Sequence, residues 1–525
     1  MENNIPISNN EIVPQTVYVK PNREYTAFEC VFAWLCLFAG YLFCKAFPVR
    51  NNPLGGFVVI LFLFIVSSVI FKIKGAKFKT LPVIAAISAV IVSGALILNA
   101  NKTICFFAYV YAIVIYCYYV YALGENFVRK GFSDMIALDF IKALIIMPFA
   151  SLGSIFKALF SGKAKKGGKF VIKVIIGIAL TLIPTIMVLA LLSYDDKFWD
   201  LMVKIFDFDG LDIFSHIASI IFGVPVGMYL FGGFVSSSDN KCDGCMTEEG
   251  CARAYSKMKI APAVTVIAAV LPILFIYVVF FISQWSYYVS GFTGVLPENF
   301  SYAEYAREGF FQLCTVSVIN LIIIVAVITF MKKKSKAAAV LLKIISLIFS
   351  VFTLVLIATA IAKLVMYIDY YGLTPKRVHA AWFMAVLAVI FILISIKQFA
   401  KKFNVVAVSI AVLVVMFALI ALPNVDGFIA KYNVDRYLDG TLESVDIDAM
   451  EDLGLASVPQ MVRLVKTLEQ SGEDTALLSG AIKFLRRIES RYFTEDPDLF
   501  TYTLPYIKAK EAIEQIGMIK KEPSY

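Results

Sequence analysis

Histidine is nearly missing from this chain, with only His216 and His379 among 525 residues. Each stands singly near the end of an apolar run, so interfacial packing accounts for both. Charge is scarce too: 17% of residues carry it, against about 25% in a soluble domain. With 60% hydrophobic residues and a mean hydropathy of +0.80, that scarcity excludes a soluble globular fold. No P-loop, dinucleotide fingerprint, H-E-x-x-H or G-x-S-x-G occurs, so no cofactor is expected and no catalytic motif stands out. Inside the apolar runs the notable polar groups are Asn320, Gln312, Thr353 and Ser395, none of them an acid. Ionisable groups at that depth are the usual mark of ion coupling, so ion-coupled transport is disfavoured without being excluded. The first 26 residues are polar and lack an early apolar core, so no signal peptide is expected. The nine cysteines mostly lie in apolar runs, the last 102 residues have none, and no disulfide framework emerges.

What the chain does have is repeated apolar runs of about 20 residues, the length that spans a bilayer as a helix. They are continuous rather than alternating, which excludes a transmembrane barrel. Eleven are expected, centred in 27–47, 54–72, 81–100, 103–123, 170–192, 217–237, 261–285, 309–331, 337–366, 378–396 and 404–422. The stretch 133–160 is interrupted by Asp139, Lys142 and Lys157 and reads as an amphipathic helix lying in the membrane interface. A second such segment is 194–216. The fold class is therefore all-α: a polytopic transmembrane helical bundle of about 11 spans with a C-terminal soluble helical domain. Five regions follow: a polar N-terminal tail (1–26), a four-span region (27–132), an interfacial helix with a basic loop (133–169), a seven-span core (170–423) and a helical tail (424–525).

Charge is distributed by side. The last 102 residues hold 18 acids and 12 bases, a net −6, whereas the remainder sums to +15. The bases concentrate in short loops at 72–79, 162–169, 331–336 and 397–403, which eleven spans place on one side. Positive loops mark the cytoplasmic side, so the N-terminus is expected inside and the tail outside; Lys376 and Arg377 are the exception. Bases confined to membrane loops do not point to nucleic acid. The expected partners are the bilayer and an envelope protein reached through 424–525. Within that tail, Ser457 and Pro459 suit a helix start, and 474–493 keeps amphipathic helical spacing.

Several polar stretches fall on the outer side under this topology. Ser301 and Glu304 match a capping box before the eighth span, Arg307 lies one turn on, and Tyr302 and Tyr305 suit an interfacial aromatic belt. Asp195 and Asp196 follow the fifth span. Tyr371, Thr374 and Arg377 lie between the ninth and tenth, and Asn433, Asp435 and Arg436 follow the eleventh. These groups either line an outward-opening pocket or pin the tail to the membrane part by ion pairing. Of the remaining strings, "KCDGCMTEEGC" (241–251) is the most metal-like. Cys242, Cys245 and Cys251 make only three thiolates where structural zinc takes four ligands, so a plain loop is the stronger reading.

The series "LLSYDDKFW" (191–199), "FGVPVGMYLFGG" (222–233), "LPENFSYAEYAREGFFQL" (296–313), "YIDYYGLTPKRVHAAWF" (367–383) and "LPNVDGFIAKYNVDRYLDG" (422–440) resembles a family of predicted bacterial multi-pass membrane proteins. That family is catalogued only as a domain of unknown function, and members usually carry a second arginine where this chain has Glu308. The resemblance implies a bacterial inner-membrane protein and no activity.

The leading functional expectation is a non-enzymatic protein of envelope sensing, assembly or interaction. The alternative is a transporter or lipid-handling protein with its cavity near Glu304, Arg307 and Arg377. A membrane enzyme with Asp195, Asp196 or Glu304 as general base comes last.

Overall fold

Several helix starts in this chain are set by local capping chemistry. Ahead of α1 (Ala27–Ala46), the Thr26 N–H donates to Glu29 Oε2 at 2.9 Å and the Glu29 N–H donates back to Thr26 Oγ1 at 3.3 Å. This reciprocal box satisfies two backbone donors that the first helical turn leaves open. After α2 (Pro53–Ile73) and α3 (Thr80–Ser93, continued by Ala95–Leu98), Asn101 caps α4 (Lys102–Leu123) by accepting from the N–H groups of Thr103 and Ile104. The computed structural model describes residues 24–46, 53–160 except 130 and 132, 188, 213–283 except 240, 241 and 243, and 302–517 except 333, 334, 401, 473, 474 and 494–501.

The chain continues through α5 (Ile136–Ile141), a π-helical turn (Lys142–Ile146), α6 (Met147–Ala150) and α7 (Ser154–Leu159). The later membrane helices and their connector are α8 (Ile213–Ser238), α9 (Glu248–Met258), α10 (Ala263–Ser283), α11 (Tyr302–Phe330), α12 (Lys336–Tyr371), α13 (Pro375–Phe399) and α14 (Val405–Ala421). Helices α15 (Val425–Leu438), α16 (Ile447–Asp452), α17 (Val458–Ser471), α18 (Thr475–Tyr492) and α19 (Leu504–Glu514) complete the described chain. No strand occurs among the described residues; one isolated bridge joins Ala261 to Met331.

Nine of the described helices are long and apolar enough to cross a membrane, and α14, from which α15 bends away by 55°, passes the same test only when the two are taken as a pair. They coincide with ten of the eleven runs expected from sequence. The remaining run, 170–192, lies outside the described residues apart from Val188, as do Asp195 and Asp196. The fold is thus an all-helical polytopic bundle.

Packing divides the membrane helices into two groups. In the first, α1 and α8 lie antiparallel, with Phe32 against Phe231 and Phe234 near one end and Gly40 against Gly223 nearer the other. A Cβ on Gly40 would stand 2.1 Å from the Gly223 carbonyl oxygen, and one on Gly227 would stand 2.9 Å from that of Cys36. Glycine is required here because the backbones touch, and such contacts replace the hydrophobic drive that lipid cannot supply. The second group, α10 to α13, buries Phe349, Leu356, Met384 and Phe391. Across its middle, Tyr277 Oη hydrogen-bonds Asn320 Oδ1 at 2.8 Å and Asn320 Nδ2 donates to Thr353 Oγ1 at 2.9 Å.

Contacts between helix ends fall into two sets. At one end Lys74 pairs with Glu29 at 2.5 Å, Lys79 with Glu125 at 2.7 Å, and Arg129 with both Asp134 and Glu248. By the up-and-down order of the helices, the loop 72–79 and the described residues of 331–336 and 397–403 fall at this end. The segment 133–160 also packs here, wedged against α4 and α8. Ile141, Ile145 and Phe149 are exposed on its other side, while Asp139 and Lys142 are buried. The opposite end carries α15 and the helices that follow it.

In that region α17 buries Met461, Val462, Leu464, Val465 and Leu468, and α18 buries Leu477, Ala481, Phe484, Leu485 and Ile488. Pro459 falls in the first turn of α17, as expected. Ser457 does not cap it. Its backbone is already helical, and its hydroxyl donates instead to the carbonyls of Met450 (3.0 Å) and Gly454 (2.8 Å). The 3₁₀ turn Gly454–Ala456 feeds directly into α17, so Ser457 never adopts the extended backbone a cap requires.

Candidate functional site

The corner between α12 and α13 is built around Gly372, whose φ of +74° closes the C-terminus of α12. Ending a 36-residue helix there leaves carbonyls that need donors. Arg377 supplies one, donating from Nη1 to the carbonyls of Tyr371 (3.0 Å) and Gly372. Its guanidinium also lies over the Tyr367 ring, 4.1 Å from the centroid, with the Tyr371 ring at 5.9 Å. A cation over two aromatic faces at a helix C-terminus is favoured both by the ring quadrupoles and by the dipole. Thr374 occupies the cap position of α13 through its backbone alone, making no side-chain cap bond.

Helix α15 docks on this corner. Asn433, buried, reads Leu373 as a neighbouring strand would: the Leu373 N–H donates to Asn433 Oδ1 at 2.7 Å and Asn433 Nδ2 donates to the Leu373 carbonyl at 2.8 Å. One turn on, Arg436 is held by Thr441, with Nε to Oγ1 at 3.1 Å and Nη2 to the carbonyl at 2.9 Å. It also pairs with Asp369 at 3.6 Å and stacks near Tyr432. Asp435, on the other side of α15, pairs with Arg463 of α17.

A second clasp sits where α3 and α4 meet the α14–α15 bend. Asn99 Nδ2 donates to the Ala421 carbonyl at 2.6 Å, and Asn101 Nδ2 reaches both oxygens of Asp426. Asp426 is 3% exposed. Burial pushes its carboxyl up to about 6, with the Asn101 amide opposing the shift.

Of the candidate residues, Tyr371, Thr374, Arg377, Asn433 and Arg436 are thus brought together at one end by contacts within the chain. Tyr302, Glu304, Tyr305 and Arg307 lie in the first turns of α11, but their side chains fall outside the described residues, as do Asp195 and Asp196 entirely. For the cysteine loop, Cys242 is buried and Cys245 exposed; among the described residues no group of three or more His, Cys, Asp or Glu is placed to hold a metal ion.

Three features escaped sequence reasoning. Asn99, Asn101 and Asp426 look like ordinary loop and cap residues until the ends of α3 and α14 meet. Asp139 and Lys142 are each bonded to the turn after α4: Asp139 Oδ1 accepts from Tyr121 Oη (2.5 Å) and the Val128 N–H (2.8 Å), while Lys142 Nζ donates to the Asn126 carbonyl (3.1 Å). Finally, Lys363 is fully buried within α12, and only a scan for bases as well as acids in the spans would have found it.

A family model described as a domain of unknown function (DUF4153) matches residues 83–464, and the chain belongs to that family. No curated protein matches the chain. No solved structure does either.

Proposed function

Starting from membership of a family without an assigned activity, we propose that this integral membrane protein is a non-enzymatic interaction protein of the cell envelope, serving sensing or assembly. One observation carries the reading. The arginines Arg377 and Arg436, which would have lined an open anion pocket, are engaged by backbone carbonyls, tyrosines, Thr441 and Asp369 of the same chain. Together with Asn433 and Asp426 they fasten the helices after α14 to the membrane bundle. A helical layer held rigidly at one end is suited to presenting a surface to a partner. The basic loops at the other end favour a cytoplasmic placement for that face, which puts the N-terminus inside and residues 424–525 outside the membrane.

Two measurements test this. A Glu469→Cys variant places a thiol in a cysteine-free tail and should react with a membrane-impermeant maleimide on intact cells; labelling only after lysis reverses the orientation. Photo-crosslinking from the same position in native membranes should then yield a discrete adduct with another envelope protein. Absence of an adduct, together with wild-type growth of cells lacking residues 440–525, would remove the interaction reading.

A second reading, a transporter or lipid-handling protein, draws on Lys363. Ionisable side chains inside spans are functional by default, and this one is fully buried. Loss of function in Lys363→Met at normal membrane abundance would favour it over the first reading.

A further inference from the structure

The helices α17 and α19 do not close completely on each other. Between them lies a cleft of about 450 Å³, its charged and amide lining supplied by Arg463, Lys466, Lys508, Glu511 and Gln515. Its floor is apolar, from Pro459, Val462 and Ala512, and its walls are polar. The volume falls in the range of small-molecule sites, roughly 300–1,000 Å³.

The charge of the lining runs against its surroundings. The 102-residue tail carries 18 acids and 12 bases, yet the cleft is lined by three bases and one acid. Arg463 is partly committed to Asp435. The two lysines come from different helices, Lys466 from α17 and Lys508 from α19. Lys466 Nζ donates to Gln515 Oε1 at 3.4 Å, an orientation that turns the Gln515 amide N–H groups away from Lys466 and leaves them as donors. The cleft is also short. Its lining spans Pro459 to Thr467 on one helix, about 12 Å at 1.5 Å per residue, which is too little for a docked peptide helix of useful length.

We infer that this cleft is a binding site for a small phosphate-bearing ligand, held by Lys466 and Lys508 with Gln515 donating to it. A phosphate monoester carries about −1.5 to −2 charges on three oxygens, and the cleft offers it one lysine from each wall, with the lining still net positive once the Arg463–Asp435 pair is counted. Lysine serves such an anion as a point charge, and the apolar floor accommodates the ligand's carbon portion. The inference is independent of the interaction reading above, since a cleft can bind phosphate whether or not the tail docks a protein.

The test uses the full chain purified in a zwitterionic detergent, titrated at low salt with pyrophosphate and with dihexanoyl phosphatidic acid. Saturable binding is expected, weakening as salt rises and falling at least tenfold in the Lys466→Gln/Lys508→Gln double variant. The exposed Arg486→Gln should leave it unchanged. Stronger binding of the short-chain lipid identifies a lipid headgroup as the source, and stronger binding of pyrophosphate identifies a free phosphate compound; both support the site. An unchanged affinity in the double variant overturns it, as does a lack of saturable binding by either probe. A glutamate-rich peptide that binds through the two lysines more tightly than either probe also overturns it, since the ligand class would then be wrong. Equal thermal stability of wild type and double variant without ligand guards against a folding artefact.

Discussion

Asn101 and Asp426 are 325 residues apart in sequence, yet one amide nitrogen of Asn101 serves both carboxylate oxygens of Asp426, at 3.0 and 2.8 Å. The Asn101 side-chain oxygen meanwhile caps α4. One side chain therefore starts a membrane helix and anchors the first turn of α15, so the position of the tail depends on the register of α4. A buried carboxylate facing a neutral amide lacks the compensation an ion pair would give.

That arrangement makes stability depend on pH. Asp426 titrates near 6 in the folded chain, above the roughly 3.9 of an unfolded aspartate. Between those values the folded state binds the extra proton. Stability is therefore full below about pH 4, falls as pH rises through 6, and stays flat beyond. Thermal unfolding in detergent at pH 4.5, 5.5, 6.5 and 7.5 should show this decline in wild type relative to Asp426→Asn. The same slope in both would assign the dependence to other groups.

Asn433→Ala should cost about 2–4 kcal/mol, because it strips both partners from the buried Leu373 backbone without opening it to water. Limited proteolysis offers a direct readout, with cleavage between residues 439 and 446 rising in the variant. Asn433→Asp is expected to behave similarly, since a carboxylate accepts from the Leu373 N–H but repels its carbonyl.

The span-level architecture was readable because bilayer thickness imposes run length directly. A stretch such as Phe310–Phe330 has little choice but to be a membrane helix. The helix starts were only partly readable. Asn101 caps as its residue type favours, but Ser457 follows a 3₁₀ turn that removes the extended backbone the rule assumes. Tyr371, Arg377, Asn433 and Arg436 do meet at one end of the bundle, but the sequence left a pocket and a pinned tail as equal alternatives, and the individual partners were not readable. Whether Arg377 meets a ligand or its own carbonyls depends on where Gly372 turns the chain, and the residue type alone does not carry that. Lys363 was passed over because its neighbours are so uniformly apolar.

Arg377 now has a defined structural duty, which changes what its removal should do. Arg377→Ala withdraws the donor from the Tyr371 and Gly372 carbonyls and empties the space over Tyr367. A loss of roughly 1–2 kcal/mol follows from the charged hydrogen bonds and the cation–π contact together. Membrane abundance and melting temperature should both drop. Arg377→Lys should recover only part, because an ammonium cannot bridge two carbonyls while stacking flat on a ring. Normal stability with lost function would instead return Arg377 to the role of a ligand contact.

The α1–α8 contact makes the sharpest contrast among single substitutions. Gly40→Ala places a methyl group 2.1 Å from the Gly223 carbonyl oxygen, a backbone atom with no flexible end to yield. The helices must then separate along their length, loosening Phe32 from Phe231 and Phe234 and straining the Lys74–Glu29 pair. Overpacking of this kind costs about 1–3 kcal/mol. Gly153→Ala is the matched control, because a Cβ there meets nothing within 4 Å and its effect should stay within about 0.5 kcal/mol. Melting temperatures of the two variants, measured in the same detergent, decide the matter. If Gly40→Ala melts like Gly153→Ala, the two helices do not approach as closely as their backbones indicate.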